Sequence, residues 1–577
     1  MRACSILRRR IHSSAQFVQR AQIFPDGPRL RSHPLARQYS TYPRPEPPTE
    51  TSSFWITFTL LAVGGGAWIH HCFQPSDKPS DLPSRPRLSP QGQDPFLGII
   101  DTLQTMPGEP APGFIGNITS EQEAKLQELW ILTLKVFGVP LDALETSSGA
   151  TSEAAPAGPS QDKKKPAKRG WGLFGRSTED DDNDSKSVSS ASGVTTSLST
   201  IDIADSDDKF GQSKEFQQAL ESMKPEDIRT AFWNLVKHDN PDALLLRFLR
   251  ARKWDVKKAL VMMISTMRWR LQEMHVDDDI MANGEALALK QSQGSDPKEK
   301  KKGDDFLFQM RKGKSFLHGV DRAGRPICVV RVRLHRANEQ DAEGLERFTV
   351  YTIETARLLL APPVETATIV FDMTDFSIAN MDYTPVKFMI KCFEANYPES
   401  LGAVLIHKAP WLFSSIWGII KGWLDPVVAA KIHFTKNRHD LEKFIAPGQI
   451  MKELEGDEDF EYKYIELKEG ENAKMEDTET RDRLIAERQE LAKEIQDLTV
   501  EWLRASKKKE SDASSAAKEK RSGLIEKLRK QYWELDPYIR TRSLYDRLNI
   551  IQDHGKIQFY PDAEKGDNKS ASEETAE

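Results

Sequence analysis

The chain has 577 residues, 38% of them hydrophobic and 29% charged, with a formal net charge of −6. That length holds more than one domain, and so low an apolar content means that much of the chain is linker or solvated helix. The small negative charge argues against a general nucleic-acid binder, and Cys4, Cys72, Cys328 and Cys392 show neither metal nor disulfide spacing.

Residues 1–39 are rich in arginine and serine. They carry Arg8, Arg9, Arg10, Arg20, Arg29, Arg31 and Arg37, with no acidic residue before Asp26. This is the composition of a mitochondrial presequence; a disordered basic tail is the plainer alternative. Residues 54–69 are apolar and uncharged, at the short end for a membrane span. Their glycine triplet, Gly64 to Gly66, is better tolerated in lipid than in a water-exposed helix. We expect a transmembrane helix over 54–73, held in the mitochondrial inner membrane, with a cytoplasmic, membrane-peripheral protein as the alternative. A proline-rich linker follows over 74–117.

Thr119 and Ser120 before Glu121 and Gln122 predict a capped helix start. Leu126, Leu129, Trp130, Thr133, Val136 and Phe137 then recur at helical spacing, and Gly138 and Pro140 stop the helix, giving one helix over 118–138. Residues 146–210 run from a basic stretch (Lys163 to Arg169) through Trp171, Leu173 and Phe174 to an acidic one, with serine and threonine throughout. This reads as a disordered linker. Its basic-aromatic part suits an anionic membrane surface, though a solvated linker is the simpler reading.

Residues 214–300 are helical by pattern, ending in a lysine-rich loop over 291–303. From 305 to 465 strands alternate with helices. Strands are expected at 327–334, 368–373, 403–406 and 432–434, and helices at 344–360 and 385–394. This order predicts an α/β fold with a mixed, partly parallel sheet. Over 478–549 one apolar stripe (Leu484, Leu491, Ile495, Leu498, Trp502) and a second (Leu524, Leu528, Trp533, Leu535) predict two packed helices with a break over 506–520. A polar tail fills 562–577.

The densest stretch is 396–435. A polar turn, Tyr397-Pro398-Glu399-Ser400, precedes the apolar run 403–406. Then Trp411, Leu412, Phe413, Ile416, Trp417, Ile419, Ile420 and Trp423 crowd together. That segment is too short to span a bilayer and is apolar on nearly all sides, so one core face would not use it up. The pattern fits a buried core helix as well as a helix that touches lipid on one side and a hydrophobic pocket on the other.

Three blocks, in order, resemble the CRAL-TRIO lipid-exchange family, and within it the phosphatidylinositol transfer proteins. They are LLRFLRARKWDV at 245–256, GVDRAGRPI at 319–327, and YPESLG through WLDPVVAAKI at 397–432. The resemblance covers roughly residues 215–465. It implies an N-terminal helical subdomain, then the sheet with its flanking helices and an apolar lipid pocket, then C-terminal helices. It also implies that Glu399 and Lys431 meet the inositol-phosphate head group, with Arg252 and Lys253 nearby. The aromatic helix, through Trp411, Leu412, Phe413, Ile416, Trp417 and Ile420, would be the gate. Taken singly, Glu399 is equally a helix cap, Lys431 a solvated base and Arg252-Lys253 a surface patch. One position departs from the pattern: Val428 stands where some members carry a phosphate-contacting threonine. Ala379 and Asn380 also interrupt the serine/threonine-rich segment associated with phosphatidylcholine binding, which puts exchange of that lipid in doubt.

A carrier has a stringent physical task. Two acyl chains expose on the order of thirty methylenes, and moving them into water costs roughly 25 kcal/mol. The cavity must be continuous and apolar, and must open only at a membrane. Residues 411–423 fit a lid, with Gly418 and Gly422 as soft points. No nucleophile elbow, phosphate loop or zinc-protease motif is present. His407 and His433 follow strand-like runs and read as structural. We therefore expect no enzyme and no cofactor. The expectation is a phospholipid carrier with phosphatidylinositol as ligand and the membrane surface as partner. The rivals are a lipid-sensing interaction module and, less favoured, a lipid hydrolase.

Overall fold

The structure, a computed structural model, describes residues 110–141 and 208–560, which fall within one compact unit, Asp94–Glu577. The expected presequence (1–39), transmembrane helix (54–73) and tail (562–577) lie outside the described residues, as does most of both linkers. Among the described residues no helix is long and apolar enough to cross a membrane.

The first lobe is helical. Helix α1 (Ser120–Val136) starts where Thr119 Oγ1 accepts from Gln122 N at 3.2 Å while Gln122 Oε1 accepts from Thr119 N at 2.9 Å. Helices α2 (Gln212–Ser222), α3 (Pro225–Val236), α4 (Pro241–Ala251) and α5 (Val256–Arg268) pack with α1 around Trp130, Phe216, Phe232 and Phe248. The same core takes in residues from far along the chain. Ile495 and Trp502 arrive from a helix over Thr478–Lys508, and Ile525 and Leu528 from one over Ser511–Ile539.

Both linker ends are structured where they meet this lobe. From Pro110, the expected 74–117 linker is packed: Arg250 Nη1 donates to Gly113 O at 2.9 Å, and its guanidinium lies 3.8 Å from the Phe114 ring centroid. The expected 146–210 linker is fixed from Asp208, whose carboxylate accepts from Gln212 N and Ser213 N at the start of α2. The break over 506–520 shrinks to a turn at Lys509 and Glu510, with Lys509 at φ +60°. Two of its serines are engaged, since Ser506 Oγ meets Ser514 Oγ at 3.0 Å and accepts from Gln127 Nε2 at 3.1 Å.

After α5 come α6 (Ala282–Ser292) and α7 (Pro297–Lys312). The lysine-rich loop expected over 291–303 therefore ends at Asp296. That side chain caps α7 by accepting from Lys298 N and Glu299 N, Pro297 occupies the first turn, and Phe306, Leu307 and Met310 turn inward. The expected boundary between helical and sheet regions, at 300–305, lies inside α7.

The sheet has five strands in the order β1 (Ser315–Val320), β2 (Pro326–Arg331), β3 (Ala367–Asp372), β4 (Leu401–His407) and β5 (Ile432–Thr435). β1 pairs antiparallel with β2, and the other three pairs are parallel. The parallel links run through α8 (Ala342–Leu358), α9 (Tyr383–Lys391), and α10 (Phe413–Lys421) with α11 (Pro426–Ala430). Side chains alternate across the strands. Phe316, Ile327, Val329, Val370, Ala403 and Leu405 face Leu441, Ile445, Ile450 and Leu454 from the segment after β5. Cys328, Ile369, Val404 and Ile406 face the other way, toward α8, α9 and α10.

A buried charge cluster joins the lobes. Arg270, which follows α5, donates to Glu354 of α8 at 2.6 Å and to Asp277 at 2.9 Å. Tyr397 Oη donates to the same Glu354 oxygen at 2.8 Å. Burial pushes the Glu354 carboxyl up, but Arg270, Arg357 and Lys237 outweigh it and hold it well below the usual carboxylate range. The cluster thereby anchors the Tyr397 turn, which carries Glu399.

Candidate lipid-binding cavity

The face of the sheet turned toward α8, α9 and α10 does not close onto those helices. Between them lies a cavity of about 1600 Å³, including the solvent at its opening. The floor is Cys328, Val330, Ile369, Phe371, Val404 and Ile406 from the strands, and α8 contributes Leu345, Phe348 and Ile353. Strand alternation places every second residue on this wall, which is why it is largely apolar.

The roof sorts the expected gate residues into three groups. Phe413, Trp417 and Ile420 of α10 line the cavity. Ile416 is buried, and Leu412 packs partly buried against the same core. Trp411, just before the helix, is 88% exposed. Ile419, Val427 and Phe434 are also exposed apolar side chains, and Trp417 meets Phe434 edge-on at 5.3 Å. This nine-residue helix thus has one face in the cavity and leaves Ile419 in water.

Glu399 and Lys431 meet. Lys431 Nζ donates to Glu399 Oε2 at 3.1 Å. The two lie just before β4 and β5, beside Leu401 and Ile432, which line the cavity. Glu399 sits at φ +53°, a left-handed backbone that costs a non-glycine residue roughly 1 kcal/mol or more. Both side chains stay partly exposed, at 22% and 23%, so a polar head outside the cavity can reach them. Val428, the departure at the threonine position, lines the cavity.

The second expected pair is placed differently. Arg252 Nη2 donates to Gln212 Oε1 at 2.6 Å, within the helical lobe. Lys253 is exposed on a left-handed turn at φ +51°. Arg250 of the same segment, paired with Glu365 at 3.0 Å, also feels the Glu399 charge, as one of the smaller influences on it. Sequence reasoning missed it because Arg250 occupies a helical position among apolar neighbours.

It also missed a contact at the base of the roof. Glu394 Oε2 accepts from Lys209 Nζ at 2.6 Å, and its Oε1 accepts from Asp425 N at 2.7 Å. Lys209 donates as well to Trp423 O. The chain that enters α2 is therefore tied to the segment joining α10 to α11. Charge-assisted hydrogen bonds of this kind contribute about 1.5–3 kcal/mol. Glu394→Ala is expected to free that end of the roof and to raise the rate of lipid exchange several-fold while the chain stays folded. An unchanged exchange rate in stopped-flow measurement would show that the contact does not restrain the roof.

Both histidines make contacts within the fold. His407 is buried, with Nδ1 3.0 Å from Thr435 Oγ1, and burial lowers its pKa. His433 packs on Phe444 at 4.9 Å. Among the described residues no cluster of three or more His, Cys, Asp or Glu is placed to hold a metal ion.

Comparison with known proteins agrees with this geometry. Residues 310–456 match the family model described as the CRAL/TRIO domain, and residues 212–265 the CRAL/TRIO N-terminal domain. A CRAL-TRIO domain-containing protein of Schizosaccharomyces pombe is 40% identical over 447 residues, spanning 75% of this chain and 91% of its own length. Phosphatidylinositol transfer protein CSR1 of Eremothecium gossypii is 39% identical over 446 residues, spanning 76% and 97%. The crystal structure of Sfh5 aligns at 17% identity and a TM-score of 0.28, covering 35% of this chain and 67% of that one; a score so low carries no argument.

Proposed function

The chain belongs to the CRAL-TRIO family, and from its cavity we propose that it binds a phospholipid, phosphatidylinositol above others, and moves it between membranes. One observation carries the reading: an apolar cavity roofed by a short helix, with a charged pair beside its wall. The cavity supplies what two acyl chains need to avoid the roughly 25 kcal/mol cost of water. Lys431 offers donors to the phosphodiester, and Glu399 accepts from inositol hydroxyls. The printed name of the CSR1 relative supports the same ligand.

The exposed Trp411, Ile419, Val427 and Phe434 form the membrane-facing side of the roof in this proposal. Contact with a bilayer would bury them and release α10 from the cavity, so the site opens only where lipid is at hand. No covalent step is needed. Mass spectrometry of lipid extracted from the purified chain tests the ligand: phosphatidylinositol is expected, and an empty cavity or one holding only choline phospholipid would count against it. Release of fatty acid or free head group would favour a hydrolase.

The anchor is part of the proposal and rests on composition alone. Residues 1–39 would direct import, 54–73 would hold the inner mitochondrial membrane, and the linker would let the carrier reach an apposed bilayer. At about 5–6 Å times the square root of its length, even a random-coil linker of this size spans tens of ångströms. A fluorescent fusion of residues 1–110 is expected to mark mitochondria and to resist carbonate extraction. Diffuse cytosolic fluorescence would instead leave a membrane-peripheral carrier.

A further inference from the structure

A second, smaller groove opens between α8 and α9. It measures about 660 Å³, including the solvent at its opening. Leu345, Pro385 and Phe388, all half-buried, give it apolar surface. Asp341, Glu346 and Asp382 line it with them, and its lining holds no lysine, arginine or histidine. Leu345, Thr349, Asp382 and Pro385 line the large cavity as well, so the two adjoin.

Two of the three carboxylates have work within the fold. Asp341 caps α8 by accepting from Gly344 N at 2.5 Å. Asp382 accepts from Thr384 N at 3.0 Å and faces His335 at 3.4 Å. Glu346 makes no ion pair among the described residues, and the lysine whose charge acts on it, Lys391, is held by Glu215 of α2 at 3.8 Å. Burial raises the Glu346 pKa above its ordinary value, Lys391 opposes the shift and Glu343 adds to it. The groove therefore suits a ligand that brings positive charge and apolar surface together.

The chain itself carries such a segment. Lys163, Lys164, Lys165, Lys168 and Arg169 precede Trp171, Leu173 and Phe174, within 142–207, which lies outside the described residues. The acidic run that follows, Glu179 to Asp182, is repelled by the same carboxylates. The described chain resumes at Asp208, beside α9. There Lys209 pairs with Glu394 at 2.6 Å and Glu215 with Lys391, the last residue of α9. Lys391 stands less than one helical turn beyond Phe388 of the groove. At about 5–6 Å times the square root of its length, the stretch from Phe174 to Asp208 spans roughly 30 Å as a random coil, more than twice the length of α9 at about 1.5 Å per residue. The groove is within reach. A tether of this kind holds a segment near its site at about millimolar effective concentration, so a contact too weak to capture a free peptide is populated within one chain.

We propose that the groove between α8 and α9 docks residues 163–174 of the same chain, their cations against Glu346, Asp341 and Asp382 and their aromatic residues against Leu345, Pro385 and Phe388. Glu346 gains the cation it lacks, and Trp171 and Phe174 leave water. Docked in this way, the basic segment is withheld from anionic membranes, which attract the same cations. The contact does not depend on which ligand the large cavity takes.

Photo-crosslinking in the full chain tests this. The photoreactive amino acid p-benzoyl-L-phenylalanine replaces Thr384, an exposed groove residue, and the crosslinked peptides are identified by mass spectrometry. Crosslinks within one chain are expected to concentrate on residues 163–174. Their yield is expected to fall several-fold in Glu346→Lys, and likewise when Lys163, Lys164 and Lys165 are all replaced by Glu. Combining the two sets of changes restores opposite charges and is expected to raise the yield again, a recovery that a misfolded groove does not give. Crosslinks spread evenly over 142–207, crosslinks only between two copies of the chain, or a yield indifferent to Glu346→Lys would overturn the proposal. So would a segment that vesicles of phosphatidylserine and phosphatidylcholine protect from proteolysis while it gives no groove crosslink in their absence, which would assign it to the membrane instead. The crosslink map with Glu346 and the lysines unchanged decides the matter even where a charge variant fails to fold.

Discussion

Phe413→Asp combined with Ile416→Asp is expected to stop lipid exchange altogether. Both side chains are buried, Phe413 against the cavity with Phe376 edge-on at 5.9 Å. Removing each one forfeits roughly 1.5–3 kcal/mol of burial. The introduced carboxylates would sit in an apolar cluster, and burying a charge there costs several kcal/mol more. The helix would turn that face to water and leave the cavity open. Vesicle exchange should fall to the uncatalysed rate, and no lipid should co-purify. The helical lobe, whose core contains no α10 residue, should still melt cooperatively. A double variant that exchanges lipid at the wild-type rate would show that α10 is not the lid.

Glu399→Ala with Lys431→Ala is expected to abolish phosphatidylinositol transfer and leave the fold intact. The two effects have separate causes. A partly exposed ion pair contributes only about 0–1 kcal/mol to stability, so its removal changes the melting temperature little. Against a bound head group each partner supplies a charge-assisted contact of about 1.5–3 kcal/mol, and the loss of both lowers affinity by several orders of magnitude. Unchanged phosphatidylinositol exchange by a folded double variant would remove these residues from the site.

Much of this architecture can be read from the chain. The apolar runs at 368–373 and 403–406 are short, β-branched and bounded by turn residues, and they form β3 and β4 within two residues of expectation. Glu399 and Lys431 lie 32 residues apart, yet their motifs were sufficient to pair them. What stayed hidden depends on tertiary context. The α7 lysines looked like a loop because its apolar residues, Phe306, Leu307 and Met310, come only in its second half. Arg250 and Arg252 are two residues apart on the same motif, and only packing shows that Arg250 pairs with Glu365 and Arg252 with Gln212. The Lys209–Glu394 contact joins residues 185 positions apart with no pattern to announce it. Exposure of Trp411 and burial of Ile416 could not be told apart in a segment apolar on almost every side.

The central claim is that this cavity carries phosphatidylinositol from one bilayer to another. Transfer of fluorescent phosphatidylinositol from donor to acceptor vesicles by the full chain tests it most directly. Substoichiometric protein is predicted to move many equivalents of the label, well above the spontaneous rate and faster than it moves labelled phosphatidylcholine. Transfer of phosphatidylinositol no faster than in protein-free vesicles would contradict the claim.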